Sequence, residues 1–535
     1  MKKKSIKKSK VNEISKINSK QNNDLILFNN LKHINKFLLL NIILTLLGFS
    51  FLTYYVFRAS ENVVSSDYIR LGYYYLHDVH DLKYLFSIES ISRIPFTFFA
   101  RIINVDLFKY NIFFDRILGI FGLSMMNFFI LKYLDEFLTK DIIKFVAFVI
   151  TSFIIFSLNS WEMILNGSGY THFLAIAFSI LAIIYYEKND KLSIIFLIIS
   201  TLIFGGSYGV SFNFTFIFIN VLMIIYKFIN SRKALLKKTS GKKSFSNKLS
   251  NKNISDKKLL DINIKEYKTY IIYIIVAIIC FSLYWISNNT GEALPIVGVY
   301  DISLIDLLKE DILFPIKFLL ASLAGSLVGV ETFTYAIAFE TITMKMVYLI
   351  GVLYLIIIIY GIYIFVNFII NKKFYIVPFM FIVMGIFNYA LVFLARYKFK
   401  NEMYGMSSRY QLQFMIFLIG LIMYFFKYLE DVSFKNDTSL KNKESKIIKV
   451  RNVLKIALVS ISLFIITYTH ILTNLDEIFK ADFRKIIYGN LVNVAKNYEE
   501  YSDEDLMNYF EYHRDAEHIK YTLKILKDQH LNVFH

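Results

Sequence analysis

Apolar residues gather in runs of about 20, the length a helix needs to cross a bilayer. The runs cover roughly 36–57, 113–134, 142–158, 171–186, 192–206, 209–229, 269–287, 346–370, 374–395, 410–428 and 453–472. Each predicts a membrane-spanning helix, so the expected fold is all-α, a polytopic bundle of about 11 spans. Residues 36–472 would form this transmembrane domain, residues 1–35 a basic cytosolic tail, and residues 473–535 a small outer helical appendage.

One stretch breaks the pattern. Phe314–Met344 carries the run FLLASLAGSLVGV, only about 13 residues long, and then meets Glu331 and Glu340. If it crossed, Lys372, Lys373 and the basic segment Lys435–Arg451 would face outward, against the bias of Lys and Arg toward the cytosol. A re-entrant or surface-lying segment leaves every strongly basic loop inside. That parity places the N-terminus in the cytosol and the C-terminus outside. Residues 230–268, rich in Lys and Ser and without an apolar period, then read as a disordered cytosolic linker.

Composition changes the picture in two ways. The net charge of +18 would fit nucleic acid, but its excess lies in segments that flank spans, so retention of positive loops explains it and no nucleic-acid partner is expected. The single cysteine, Cys280, lies inside an apolar run, which excludes a disulfide framework within the chain and a Cys-based zinc site. The basic start MKKKSIKKSK is separated from the first run by polar residues and reads as a cytosolic tail, not a signal peptide.

With this topology the carboxylates, Trp, Gly and Arg of the loops collect on the outer side. The first outer loop, Arg58–Asn111, contains a segment Tyr68–Phe86 that fits a helix lying on the membrane surface. Tyr68, Leu71, Tyr75, Val79, Leu82 and Phe86 would share one side; Arg70, Tyr74, His77 and Asp81 would share the other. Asp67 precedes it, either as a plain N-cap or as a base that takes a proton from a hydroxyl. The second role needs partial desolvation that lifts its pKa toward working pH. His77, Asp78, His80 and Asp81 are ligand types, yet only His77 and Asp81 share a face, so a solvated face competes with a metal site.

Three further places carry chemistry. Trp161 and Glu162 sit at the outer end of the third run, where a carboxylate should face a cavity and not lipid, with an interfacial Trp anchor beside a solvated Glu as the alternative. Arg409 and Tyr410 open the tenth run, and the planar donor fork of Arg409 suits a phosphate, with snorkelling to headgroups as the alternative. Asp115 and Arg116 come closest to an intramembrane charge pair. No nucleotide-binding loop or HExxH motif is present.

The Asp67-bearing first outer loop, the Trp161–Glu162 turn, the outer stretch around Glu292 to Glu340, and Ser408-Arg409-Tyr410 together resemble the GT-C class of polytopic glycosyltransferases. The resemblance implies sugar transfer from a polyprenyl-phosphate donor to a glycan, lipid or protein acceptor on the outer face of a bacterial cytoplasmic membrane. It implies Asp67 as the acid that assists the acceptor and Arg409 as the holder of the donor phosphate. Tyr410, Glu162, Trp161, His77, Asp81 and Arg70 are the further expected substrate contacts. The class often has a double acid in the first loop, whereas Asp67 is flanked by Ser66 and Tyr68, which leaves a divalent cation and the choice among Asp67, Asp78 and Asp81 open. A lipid-linked glycan polymerase or ligase, and a transporter or flippase, are the other classes carried.

Overall fold

The computed structural model describes residues 35–86, 88–89, 92–93, 95–203, 207–242, 264–288, 300–329, 343–371, 373–438 and 444–535. The expected basic tail up to residue 34, Glu292, Glu331 and Glu340 lie outside them. In chain order the helices are α1 (Lys36–Ala59), α2 (Asp67–Tyr75), α3 (Pro95–Phe108), α4 (Ile112–Phe137), α5 (Asp141–Ile155), α6 (Trp161–Leu165) and α7 (Tyr170–Tyr185). They continue as α8 (Asp190–Ile203), α9 (Ser207–Lys242), α10 (Ile264–Asn288), α11 (Leu304–Glu310), α12 (Phe314–Leu327), α13 (Met344–Ile370) and α14 (Ile376–Arg396). The last four are α15 (Ser408–Thr438), α16 (Glu444–Lys496), α17 (Asp503–Tyr509) and α18 (Ala516–Asp528). A two-residue antiparallel ladder, Ile88–Glu89 with Ser92–Arg93, is the one strand pair among the described residues.

Nine helices among the described residues are long and apolar enough to cross a membrane. The chain is therefore an integral membrane protein by the length and composition of its helices. Large apolar side chains such as Leu46, Leu47, Ile356 and Phe464 stand outward on these helices, a surface that lipid tolerates and water does not. The two remaining expected spans are shorter. The run 192–206 forms α8, of 14 residues, and the run 269–287 lies in α10, apolar over Tyr267–Leu283. Helix α12 also has 14 residues, about 21 Å, well short of a bilayer core of about 30 Å.

Side-chain caps set several helix starts. Asn35 accepts from the backbone N–H of Phe37 at 3.0 Å, and Asn111 from that of Phe113 at 2.9 Å. At one end of the bundle the carboxylate of Glu430, 1% exposed, accepts from the backbone N–H groups of Thr139 and Lys140 and pairs with Lys427 at 2.7 Å. A buried charge is held only with partners of this kind, so α15 is locked to the start of α5.

Three expectations change. The helix expected over Tyr68–Phe86 ends at Tyr75, with turns to Asp81 and a 3₁₀ turn at Leu82–Phe86. Beyond the turns, Asp81 accepts from the backbone N–H of Lys83 at 2.9 Å, a local bond that competes with helix at the start of the 3₁₀ turn. Tyr68, Leu71 and Tyr75 are buried, with α2 packed against α18, where Thr522 donates to the Ile69 carbonyl at 3.0 Å. Gly72 makes that approach possible, because a Cβ there would run into the Thr522 side chain. The outward apolar stripe of this loop belongs instead to α3, through Phe96, Phe99, Ile103 and Leu107.

Of the linker expected over residues 230–268, those up to Lys242 belong to α9, with the good helix formers of Arg232–Lys238 in this part, and those from Ile264 belong to α10; residues 243–263 lie outside the described ones. The C-terminal piece is helical and continuous with the bundle. Helix α16 runs 53 residues without a break, from the bundle into a second core made with α2, α17 and α18. Ser502 caps α17, accepting from the Asp505 N–H at 3.2 Å; α17 stops at Tyr509 and α18 follows to Asp528.

Candidate functional site

The chain segment after α5 breaks into short turns, Leu158–Ser160, then α6, then Gly167–Gly169, before α7 resumes. This places the Glu162 carboxylate against the first turn of α15. One Glu162 oxygen accepts from the Ser408 hydroxyl at 3.0 Å, and the other accepts from the Nε–H of Arg409. The Arg409 side chain stays 41% exposed, so part of its guanidinium is open to a further partner. Tyr410 turns away and accepts through its hydroxyl from Arg396.

Asp67 closes the other side. It is the first residue of α2 and not its cap; Ser66 holds the cap position without a side-chain bond. Ser66 has a φ of 49°, unfavourable for a residue with a Cβ, and its N–H donates to the Phe510 carbonyl at 2.8 Å. The C-terminal module thus fixes the turn that presents Asp67. With 42% of its side chain exposed, Asp67 lies 3.7 Å from a terminal nitrogen of Arg70. Burial pushes the carboxyl up, but the guanidinium of Arg70, with those of Arg409 and Arg514, outweighs this and holds it below the usual carboxylate range. This direction is opposite to the raised pKa that a desolvated base needs, and the cationic setting favours the carboxylate form of Asp67.

No family model, no curated protein and no solved structure matches this chain.

Of the expected residues, Asp67, Arg70, Glu162 and Arg409 come together, with Trp161 just behind. The Trp161 ring lies under the Arg484 guanidinium, 3.3 Å from its centroid. His77 and Asp81 do not join them. The hydroxyl of Tyr84 meets His77 Nε2 at 3.1 Å, and Asp81 pairs with Lys83 at 2.5 Å. His80 faces Asp106 at 3.1 Å, and Asp78 lies 3.7 Å from Lys83. Each member of the His/Asp group thus has its own local partner. Among the described residues no three His, Cys, Asp or Glu side chains are placed to hold a metal ion.

Asp115 and Arg116 do not pair with each other as expected. Asp115 accepts from the Tyr68 hydroxyl, while Arg116 donates to the Leu165 carbonyl at 2.7 Å and the Ser60 hydroxyl at 2.9 Å. Both are buried struts that tie α2 and the α6 turn to the top of α4.

The sequence reading missed the inner face of α16. Glu477, 1% exposed, accepts from Arg484 at 2.7 Å and from the Tyr55 hydroxyl at 3.4 Å. His470, Glu477 and Arg484 follow at seven-residue steps, two helical turns each, which puts them on one side of the helix. That spacing was available in the sequence, but it crosses the point where hydropathy ends the span.

Proposed function

We propose that the protein is an integral membrane glycosyltransferase that moves a sugar from a polyprenyl-phosphate donor to a cell-envelope glycan, lipid or protein. The reading places the reaction on the outer face of a bacterial cytoplasmic membrane, with the N-terminus in the cytosol and the C-terminus outside. The observation that carries it is the convergence of Asp67 and Arg70 with the Arg409–Glu162 pair at the junction of bundle and C-terminal module. An open guanidinium beside a helix start suits the donor phosphate, and a bilayer-borne donor suits a site built on apolar helices.

In this reading the bond between the sugar C1 and the phosphate oxygen breaks as the acceptor hydroxyl oxygen bonds C1. Arg409 steadies the charge that collects on the leaving phosphate. Asp67, held ionised, accepts a hydrogen bond from the acceptor hydroxyl and orients it. The proton ends on the released phosphate, whose second pKa near 6 makes it the better resting place.

The test is transfer of radiolabelled sugar from polyprenyl phosphate in membranes that carry the protein or its Asp67→Asn variant. Equal transfer by both, at equal abundance, removes Asp67 from the mechanism. Flux of a free solute into reconstituted vesicles would instead favour a transporter.

A further inference from the structure

The segments that carry Glu162 and Arg409 also wall a small cavity, apolar over part of its wall, with room for about one water molecule. Asn159, from the turn before α6, Gln411, from the first turns of α15, and His470, from α16, line it and are each at most 5% exposed. Among the described residues, Asn159 Oδ1, Gln411 Oε1 and His470 Nε2 have no partner. The amide nitrogens fix which atom is left over. Asn159 Nδ2 donates to the Gly325 carbonyl at 3.0 Å and Gln411 Nε2 to the Met406 carbonyl at 3.0 Å, so both remaining oxygens are acceptors. His470 Nδ1 lies 2.8 Å from the Ser157 hydroxyl.

We propose that this cavity is a binding site for one water molecule, which accepts from His470 Nε2–H and donates to Asn159 Oδ1 and Gln411 Oε1. The assignment satisfies all three side chains with a neutral guest. It also fixes the imidazole tautomer, because Ser157 must then donate its hydroxyl proton to Nδ1. Asn474 Oδ1, which lies 3.2 Å from that hydroxyl and is its other acceptor, keeps the Leu158 N–H at 2.7 Å. A bare cation fits less well, since no carboxylate lines the cavity to offset its charge. The water joins the turn before Trp161 and Glu162, the start of α15 and the middle of α16. It is thus a positioning element for the Arg409–Glu162 pair, and it stands independently of sugar transfer.

The test is hydroxyl-radical labelling by X-ray radiolysis of the full chain in nanodiscs, read by mass spectrometry. Leu412 and Leu418 line the cavity and are at most 1% exposed; Leu134, 0% exposed, does not line it. Several-fold more oxidation at Leu412 and Leu418 than at Leu134 is expected, because a bound water is the local radical source. Equal labelling overturns the proposal. Solid-state ¹⁵N NMR of histidine-labelled protein supplies the second measurement, with the His470 signals identified by their loss in His470→Gln. A neutral ring protonated at Nε2 is expected; protonation at Nδ1 overturns it.

Discussion

Arg409 donates through its Nε to Glu162, joining the turn after α5 to the first turn of α15 across 247 residues of sequence. The bond orients the guanidinium without using it up. We expect Arg409→Ala to weaken binding of a polyprenyl phosphate by about 2 kcal/mol, roughly thirtyfold in Kd, the range of a charge-assisted hydrogen bond. Arg409→Lys should recover only part, since an ammonium cannot bond Glu162 and a phosphate in one plane. Equilibrium binding in detergent micelles checks both, and unchanged affinity in Arg409→Ala would return this residue to a role at the headgroups.

Asp67 should stay ionised across the working range. Its folded-state pKa lies below the ordinary value near 3.9, so its stabilising pairing with Arg70 is present above that value and is lost as pH falls through the lower folded one. Thermal unfolding of wild type and Asp67→Asn should show a gap that is constant from pH 8 to about pH 5 and closes below about pH 4. A wild-type advantage that instead shrank as pH rose from about 4 to about 6 would mean a raised folded-state pKa and would restore the general-base role.

Tyr68→Phe removes the hydroxyl that bonds the buried carboxyl of Asp115. The expected cost is about 1–3 kcal/mol, read as a lower midpoint of thermal unfolding. Tyr68→Phe combined with Asp115→Leu should recover much of the loss, because no buried carboxyl is left short of a partner. Additive losses would show that the two residues act separately.

Arg484→Met leaves Glu477, 1% exposed, without its guanidinium, and breaking a buried pair in this way costs about 3–5 kcal/mol. The double variant Glu477→Leu with Arg484→Met should be far closer to wild type in midpoint. Because Arg484 also covers Trp161, tryptophan fluorescence should change in Arg484→Met.

Cysteine placed at position 67, in a chain whose own thiol is removed by Cys280→Ser, should react with an impermeant maleimide added outside intact cells. Labelling only after the cells are opened would invert the proposed orientation.

Much of the bundle could be read from hydropathy alone, since nine of the eleven runs match helices long enough to cross. Each run is a local signal that needs no knowledge of its neighbours. Asp67, Glu162 and Arg409 were also visible, because charge and Trp at span ends are exceptional in so apolar a chain. What escaped was whatever depends on distant partners. The α2 face that looks interfacial in sequence is claimed by α18, about 450 residues on, and amphipathicity cannot say whether lipid or protein covers an apolar side. Helix α16 was cut at residue 472 because apolar character stops there, although backbone hydrogen bonding does not. With it went Glu477 and Arg484, which only a continuous helix would align.

That unbroken helix, about 80 Å long, has a mechanical meaning. It carries His470 inside the bundle, Arg484 against Trp161, and Leu491 and Val494 in the core of the C-terminal module. A stiff lever of this length cannot pivot at one end while the other stays still. The Trp161 turn and the module that holds the Ser66 bend are thus joined through one helix, so a displacement of either is transmitted to the other.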